Sequence, residues 1–348
     1  MLRWSESGGF VKGFWSLLTD TAGVIARSAG FVATLGILLV LLHFPYDSDR
    51  PIPPAEAAKA RTFYAAAYDK DKSTAVSPQE EKYAKLALKA AEEWHVKDQV
   101  AAVVRKFGLE NKKALDIGSG QGYLQDVMPD YTGLDISATV QRYYHKRFVL
   151  GSATAMPFDD DTFDTVWSIW VLEHVPNPEA ALVEIRRVAK DGSILFLGPQ
   201  WDCHTWQADG YDVRPYGDFG LWGKMVKAAI PARVVLARLA MPPVRAVRGA
   251  TWKLAGGPST FRYHRLTPNF QTYWEPDSDA VNSLDFYEMG LWFRSRGDDC
   301  LSCESGWHWV TQTKNPLIIR IHKTARGLSA HGAGEAGQRA AAMTGQTE

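Results

Sequence analysis

The string Ala114-Leu-Asp-Ile-Gly-Ser-Gly-Gln-Gly-Tyr123 constrains the fold of this chain more than any other stretch. A short apolar run enters Asp116, and glycines follow at 118, 120 and 122. Glycine lets a backbone turn sharply and approach a ligand without a Cβ in the way, so the string reads as a strand, a ligand-cradling loop and a helix N-terminus. Further apolar runs at 132–136, 147–150, 165–170 and 193–198 alternate with helical stretches. That alternation predicts βαβ units and a parallel sheet. Between the last two runs, residues 178–190 place Ala181, Leu182, Ile185 and Val188 on one helical face.

Two ligands compete for such a loop. A dinucleotide site has the spacing G-x-G-x-x-G, with backbone amides on a pyrophosphate. Here Tyr123 stands where the third glycine belongs, and Asp116 precedes the loop. A carboxylate there repels a pyrophosphate but suits a cationic amino acid. S-adenosylmethionine (SAM) carries a sulfonium and an ammonium and no phosphate, so these residues favour SAM over a nicotinamide cofactor. Asp135 lies 19 residues beyond Asp116, close to the roughly 20-residue spacing of a ribose-binding carboxylate in such folds.

The segments DIGSGQG, TGLDIS and GSATAMPFDDDTFDTVWSIWVLEHVPNPEAALVEIRRVAKDGSILFLGP together resemble the class I SAM-dependent methyltransferases of the type 11 group. The resemblance covers roughly residues 110–200 and implies an α/β fold with a Rossmann-like, mostly parallel sheet flanked by helices. It implies that Asp116 and the loop Gly118, Ser119, Gly120 and Gly122 hold the methionine moiety of SAM. It assigns Asp135 to the ribose hydroxyls and Ile136 to the adenine face, with Ser152, Ala153 and Met156 lining the adenine pocket. His174 would border the methyl-transfer site as the candidate catalytic residue. The chain departs from the family in having Gly151-Ser152-Ala153 where G-D-A is common, and Lys190-Asp-Gly-Ser193 where K-P-G-G is usual.

Outside this core the sequence divides into distinct stretches. Residues 1–50 carry an uncharged apolar run at 28–44, read as a membrane anchor over about 23–44. Twenty-two helical residues reach about 33 Å, enough to cross a hydrocarbon core of about 30 Å. A cleaved signal peptide fits less well, because some 27 residues precede the run and no small-residue cleavage site follows it. Residues 51–108 form a proline linker and helices at 55–68 and 79–107, the last ended by Gly108. The SAM-binding core follows at 109–200. Residues 201–282 are an insert and acceptor cap, in which 219–274 hold nine Lys or Arg and no Asp or Glu. That stretch reads as a basic amphipathic element broken by prolines. Residues 283–325 read as a helix at 283–296 and closing strands at 307–313 and 317–323, and the tail 326–348 as disordered.

Formal net charge is zero, so a strongly basic DNA-binding surface is not indicated. Apolar spacing and prolines in the insert favour membrane lipids over RNA as its partner. Cys203, Cys300 and Cys303 are too few for a disulfide framework, which suits a reducing compartment. Cys300, Cys303 and His308 fall short of the four ligands of a structural zinc site, so no metal is expected. An anchor and a basic insert together imply a membrane-associated acceptor: a lipid, a quinone precursor or a lipid-linked glycan. SAM is cytosolic, which places the catalytic domain on the cytoplasmic side. His204, in Trp201-Asp-Cys-His-Thr-Trp206, is a second candidate base, and the aromatics around it suggest an apolar acceptor. A catalytically inactive methyltransferase-like membrane scaffold and an RNA methyltransferase are the alternatives.

Overall fold

The computed structural model describes residues 20–34, 54–67, 78–272, 274–312 and 316–323. Residues 20–34 form helix α1, with Val24, Ile25, Phe31 and Val32 exposed. Residues 35–44, the most apolar part of the expected anchor, lie outside the described residues, as does the tail beyond 323. Among the described residues no helix is long and apolar enough to cross a membrane. The transmembrane reading therefore has no support from the structure.

Helices α2 (Pro54–Ala67), α3 (Pro78–Glu93) and α4 (Val96–Phe107) precede the sheet. The single helix expected over 79–107 is broken at Trp94–His95, where His95 adopts a left-handed conformation (φ 49°). Gly108, also left-handed, ends α4, and the Leu109 amide returns to the Val104 carbonyl at 2.9 Å, a C-capping arrangement glycine favours.

The sheet contains β1 (Lys113–Ile117), β2 (Asp130–Asp135), β3 (Arg147–Leu150), β4 (Phe163–Ile169) and, after helix α5 (Pro178–Val188), β5 (Ala189–Gly198). These five pair in parallel in the order β3-β2-β1-β4-β5. They match the predicted strands because parallel strands buried on both faces read as continuous apolar runs. The crossovers differ from expectation. Residues 118–129 are a series of turns rather than a helix. A helical crossover needs about a dozen residues, and here the glycine loop takes up the first five. Helix α4 covers that face instead: Val100 and Val104 pack with Ala114, Met128, Tyr131 and Trp167.

After β5 comes helix α6 (Leu221–Ala255), then β6 (His264–Arg265), β7 (Asn282–Ser283), α7 (Phe286–Arg294), β8 (Asp299–Cys300), α8 (Trp307–Thr311) and β9 (Leu317–Arg320). Strand β9 closes the sheet antiparallel to β5, and β8 pairs with β9. Three expectations for this region are corrected. The basic stretch is not broken: α6 runs through Pro231, Pro242 and Pro243. Its stripe Ile230, Ala237, Met241 and Arg245 is buried, and that packing carries the helix past its missing donors. Residues 307–311 are helical, with Trp309 and Val310 buried beside Tyr287 and Leu291 of α7. Cys300 and Cys303 form a disulfide, with Cα atoms 5.3 Å apart, and His308 instead faces Glu304 at 3.7 Å.

Candidate active site

In an open parallel sheet, ligands bind outside the carboxyl ends of the strands where the strand order reverses. That point lies between β1 and β4, and a cleft of about 830 Å³ opens there. Its walls include the loop Gly118–Gln121, Asp135 and Ile136 after β2, Gly151–Thr154 after β3, Trp170 and His174 after β4, and Tyr64 of α2.

The glycine loop is tied down on both sides. The amides of Gly118 and Ser119 donate to the Leu134 carbonyl at 2.8 and 3.1 Å. The Tyr144 hydroxyl donates to Ser119 Oγ at 2.6 Å and to the Gly120 carbonyl at 3.1 Å. Gly118 has φ +66°, and a Cβ there would lie 2.3 Å from Val171 Cγ2, so glycine is required on both conformational and steric grounds. Gly133, in β2, is a second close approach, where a Cβ would meet Tyr144 Cε1 at 2.6 Å.

Asp135 sits at the rim. Its Oδ2 accepts from the Gly120 amide at 2.9 Å and its Oδ1 from the Ser137 amide at 2.8 Å. Burial raises its pKa, while hydrogen bonds from those amides pull it back. Each carboxylate oxygen keeps a further lone pair, which a pair of ribose hydroxyls could use. Ile136 is 46% exposed beside it, an open apolar platform. Ser152 lines the cleft, but its Oγ is engaged locally, 2.9 Å from Thr154 Oγ1 and accepting from the Thr154 amide. Ala153 also lines the cleft.

Asp116, Gly122 and Met156 do not line the wall. Asp116 is buried beneath the loop, where its Oδ2 accepts from the Tyr131 hydroxyl at 2.7 Å. Burial pushes its pKa up to about 7, and the Tyr131 hydrogen bond only partly offsets this. Met156 packs in the main core. His204 is stacked on Trp206, with ring centroids 4.2 Å apart, and also lies off the cleft wall. Trp201 and Trp206 are buried, Trp201 against Phe286. The aromatics of that loop serve packing and do not mark an acceptor pocket.

At the far end of the cleft, His174 closes a short 3₁₀ turn (Leu172–His174). Its Nδ1 lies 3.4 Å from Asp279 Oδ2 and its Nε2 lies 3.9 Å from Glu173 Oε1. Burial alone would lower its pKa, but Asp279, Glu173 and Asp277 outweigh it, and the net direction is up. Glu173 is fully buried and pushed up to about 7 by burial, against the pull of His174. Asp277 rises to about 6, again mainly by burial. Trp170, on the same loop, holds a left-handed backbone (φ 54°), a strained conformation for a bulky residue. The loop bearing Asp277 and Asp279 is held in place by the Val281 amide on the Glu173 carbonyl (3.0 Å) and Asn282 Nδ2 on the Val175 carbonyl (2.7 Å).

Asp277, Asp279, Tyr64, Tyr131 and Tyr144 were not singled out from sequence. One signal was available: the acid-free stretch 219–274 ends abruptly at Glu275-Pro-Asp-Ser-Asp279.

Residues 115–197 match a family model described as a methyltransferase domain. Residues 115–197 are thus a SAM-dependent methyltransferase domain. An uncharacterised protein of Methanocaldococcus jannaschii is 37% identical over 122 residues, covering 33% of this chain and 52% of that protein. An uncharacterised methyltransferase of Schizosaccharomyces pombe is 29% identical, covering 29% of this chain and 45% of its own. The demethylmenaquinone methyltransferase of Renibacterium salmoninarum is 32% identical, covering 32% and 49%. The chain thus spans about half the length of these curated relatives. SAM is the cofactor of the methyltransferase domain, and Gly118, Gly120 and Asp135 line the cleft at the carboxyl ends of its strands.

Proposed function

We propose that this protein transfers the methyl group of SAM to a small, membrane-associated acceptor. The observation that carries the proposal is one continuous cleft lined both by Gly118, Gly120 and Asp135 and by His174 and Asp277, with Glu173 buried behind His174. A cofactor seated on the rim presents its methyl toward the cluster, where the acceptor lies. Direct displacement needs nucleophile, methyl and sulfur in line, and such positioning supplies much of the rate. Asp116, beneath the loop, supplies negative potential to the cationic end of SAM. Asp135 holds the ribose, Ile136 and Ala153 flank the adenine, and His174 borders the reacting atoms.

Two observations support an acceptor at a membrane surface. The outward stripe of α6 exposes Leu221, Met225, Val235, Leu239 and Leu254, with Trp222 beside it, and Lys224, Arg238 and Lys253 are exposed on the same helix. Apolar residues flanked by cations suit an interface with anionic headgroups. The Renibacterium relative is named for a demethylmenaquinone substrate. Because SAM is cytosolic, the domain would face the cytoplasm. The test is methyl transfer from labelled SAM to membrane lipid extracts by the full chain. Label entering an extractable lipid, and lost with Asp135→Ala, is the expected result; label entering only RNA or protein would reassign the acceptor.

A further inference from the structure

The cluster opposite the cofactor rim has the makings of a metal site. Glu173, His174 and Asp277 each bring one ligand atom within 4.8 Å of the others. Glu173 is fully buried. Its Oε1 accepts from the Gln200 amide at 2.8 Å, and its Oε2 has no hydrogen-bond partner. A buried carboxylate oxygen left without a partner is costly and points to a missing cation. Behind the imidazole stands Asp279, also fully buried, with Oδ2 3.4 Å from His174 Nδ1 and accepting from the Tyr64 hydroxyl at 2.8 Å. Asp279 Oδ1 is a second buried oxygen without a partner. Among the described residues no Lys or Arg pairs with any of these three carboxylates. Three acids therefore face a single imidazole.

The order of these groups is that of a metal-bound histidine. Such a histidine gives one ring nitrogen to the ion and donates its other N–H to a carboxylate, which fixes the tautomer. His174 Nδ1 faces Asp279 Oδ2 at 3.4 Å without a hydrogen bond of its own, and Nε2 faces Glu173.

We propose that Glu173, His174 and Asp277 form a divalent-cation site at the acceptor end of the cleft, oriented by Asp279 and Tyr64, and that the cation holds an oxygen nucleophile of the acceptor. One imidazole with carboxylates suits Mn²⁺, Fe²⁺, Zn²⁺ or Mg²⁺. The second half of the proposal rests on the methyltransferase reading; the cation site itself does not. A hydroxyl bound to the ion is polarised and releases its proton to water as the acceptor binds. In the transfer the O–CH₃ bond forms as the CH₃–S bond breaks. Sulfur keeps the electron pair, and the cofactor leaves as a neutral thioether. The acceptor class is thus a hydroxyl- or enol-bearing molecule.

The experiment is a titration of Mn²⁺ into the chelator-treated full chain, read by loss of the free Mn²⁺ resonance, beside a calorimetric SAM titration. One tight Mn²⁺ per chain is expected, weakened roughly 10- to 100-fold by Glu173→Gln or Asp277→Asn, with SAM binding retained in Asp277→Asn. Nitrogen modulation in the electron-spin echo of bound Mn²⁺, lost in His174→Gln, would place the imidazole on the ion. A full chain that binds SAM but takes up neither Mn²⁺ nor Zn²⁺ overturns the proposal, as does Mn²⁺ binding equal in all three variants. Uptake of Mn²⁺ with this pattern but without SAM binding would uphold the cation site and overturn the methyltransferase reading.

Discussion

Asp116 and Asp135 end adjacent strands, yet their surroundings give them different work. Asp135 is hydrogen-bonded at both oxygens by backbone amides, whereas for Asp116 the Tyr131 hydroxyl and the Trp167 side chain only partly offset its burial. With its pKa near 7 in the free protein, Asp116 is partly protonated at neutral pH. A cationic cofactor favours the ionised form, so binding must expel the proton at lower pH. SAM affinity should therefore rise with pH up to about 7 and level off above it, changing by up to roughly tenfold per pH unit on the acid side. Calorimetry at several pH values checks this, and Asp116→Asn should bind more weakly with a flattened profile. Gly118→Ala should destabilise the domain by about 2 kcal/mol, because it adds both a strained φ and a clash with Val171. Thermal unfolding measures the loss, and adding Val171→Ala should restore part of it. The placing of Gly118, Gly120 and Asp135 at the cleft was legible in the sequence because a backbone requirement and a charge requirement each leave a residue-level mark, whereas Asp116 and Gly122 were expected at the wall and lie off it. Asp277 and Asp279 were not, since a run of 56 unlike residues with no acid gives no hint of which strand end it folds back upon.

At the level of elements, the apolar runs named all five parallel strands and helix α5, because burial on both faces writes continuous hydrophobicity into the sequence. The crossovers were misread where tertiary packing overrode pattern. Turns replace the helix after β1 because α4 already covers that face, and α6 persists through three prolines because its buried stripe is anchored. The anchor is Arg245: Nε and Nη2 donate to Asp285 Oδ2 at 3.1 and 3.0 Å, and Nη1 donates to the carbonyls of Val310 and Gln312. Arg248 pairs with Glu288 at 3.0 Å. Part of the basic charge in the insert is thus structural. Arg245→Ala leaves a buried carboxylate unpaired and should cost about 3–5 kcal/mol, read as a fall in the denaturant midpoint. Lys253→Ala, on an exposed position of the same helix, should leave stability unchanged.

Taken whole, the molecule presents a parallel sheet whose cleft is walled by α2, α3 and the loop before β7, with the outer stripe of α6 on the surface. If that stripe meets a membrane, the full chain should sediment with anionic vesicles and not with neutral ones, and rising salt should release it. Trp222→Glu with Leu239→Glu should abolish the association while SAM binding persists. The measurement closest to the central claim is calorimetric titration of SAM and S-adenosylhomocysteine into the full chain and its Asp135→Ala variant. Saturable binding by the folded chain, lost in the variant while its thermal unfolding is preserved, is the predicted result. A folded chain that binds neither ligand, or a variant that binds as tightly as the wild type, would contradict the account.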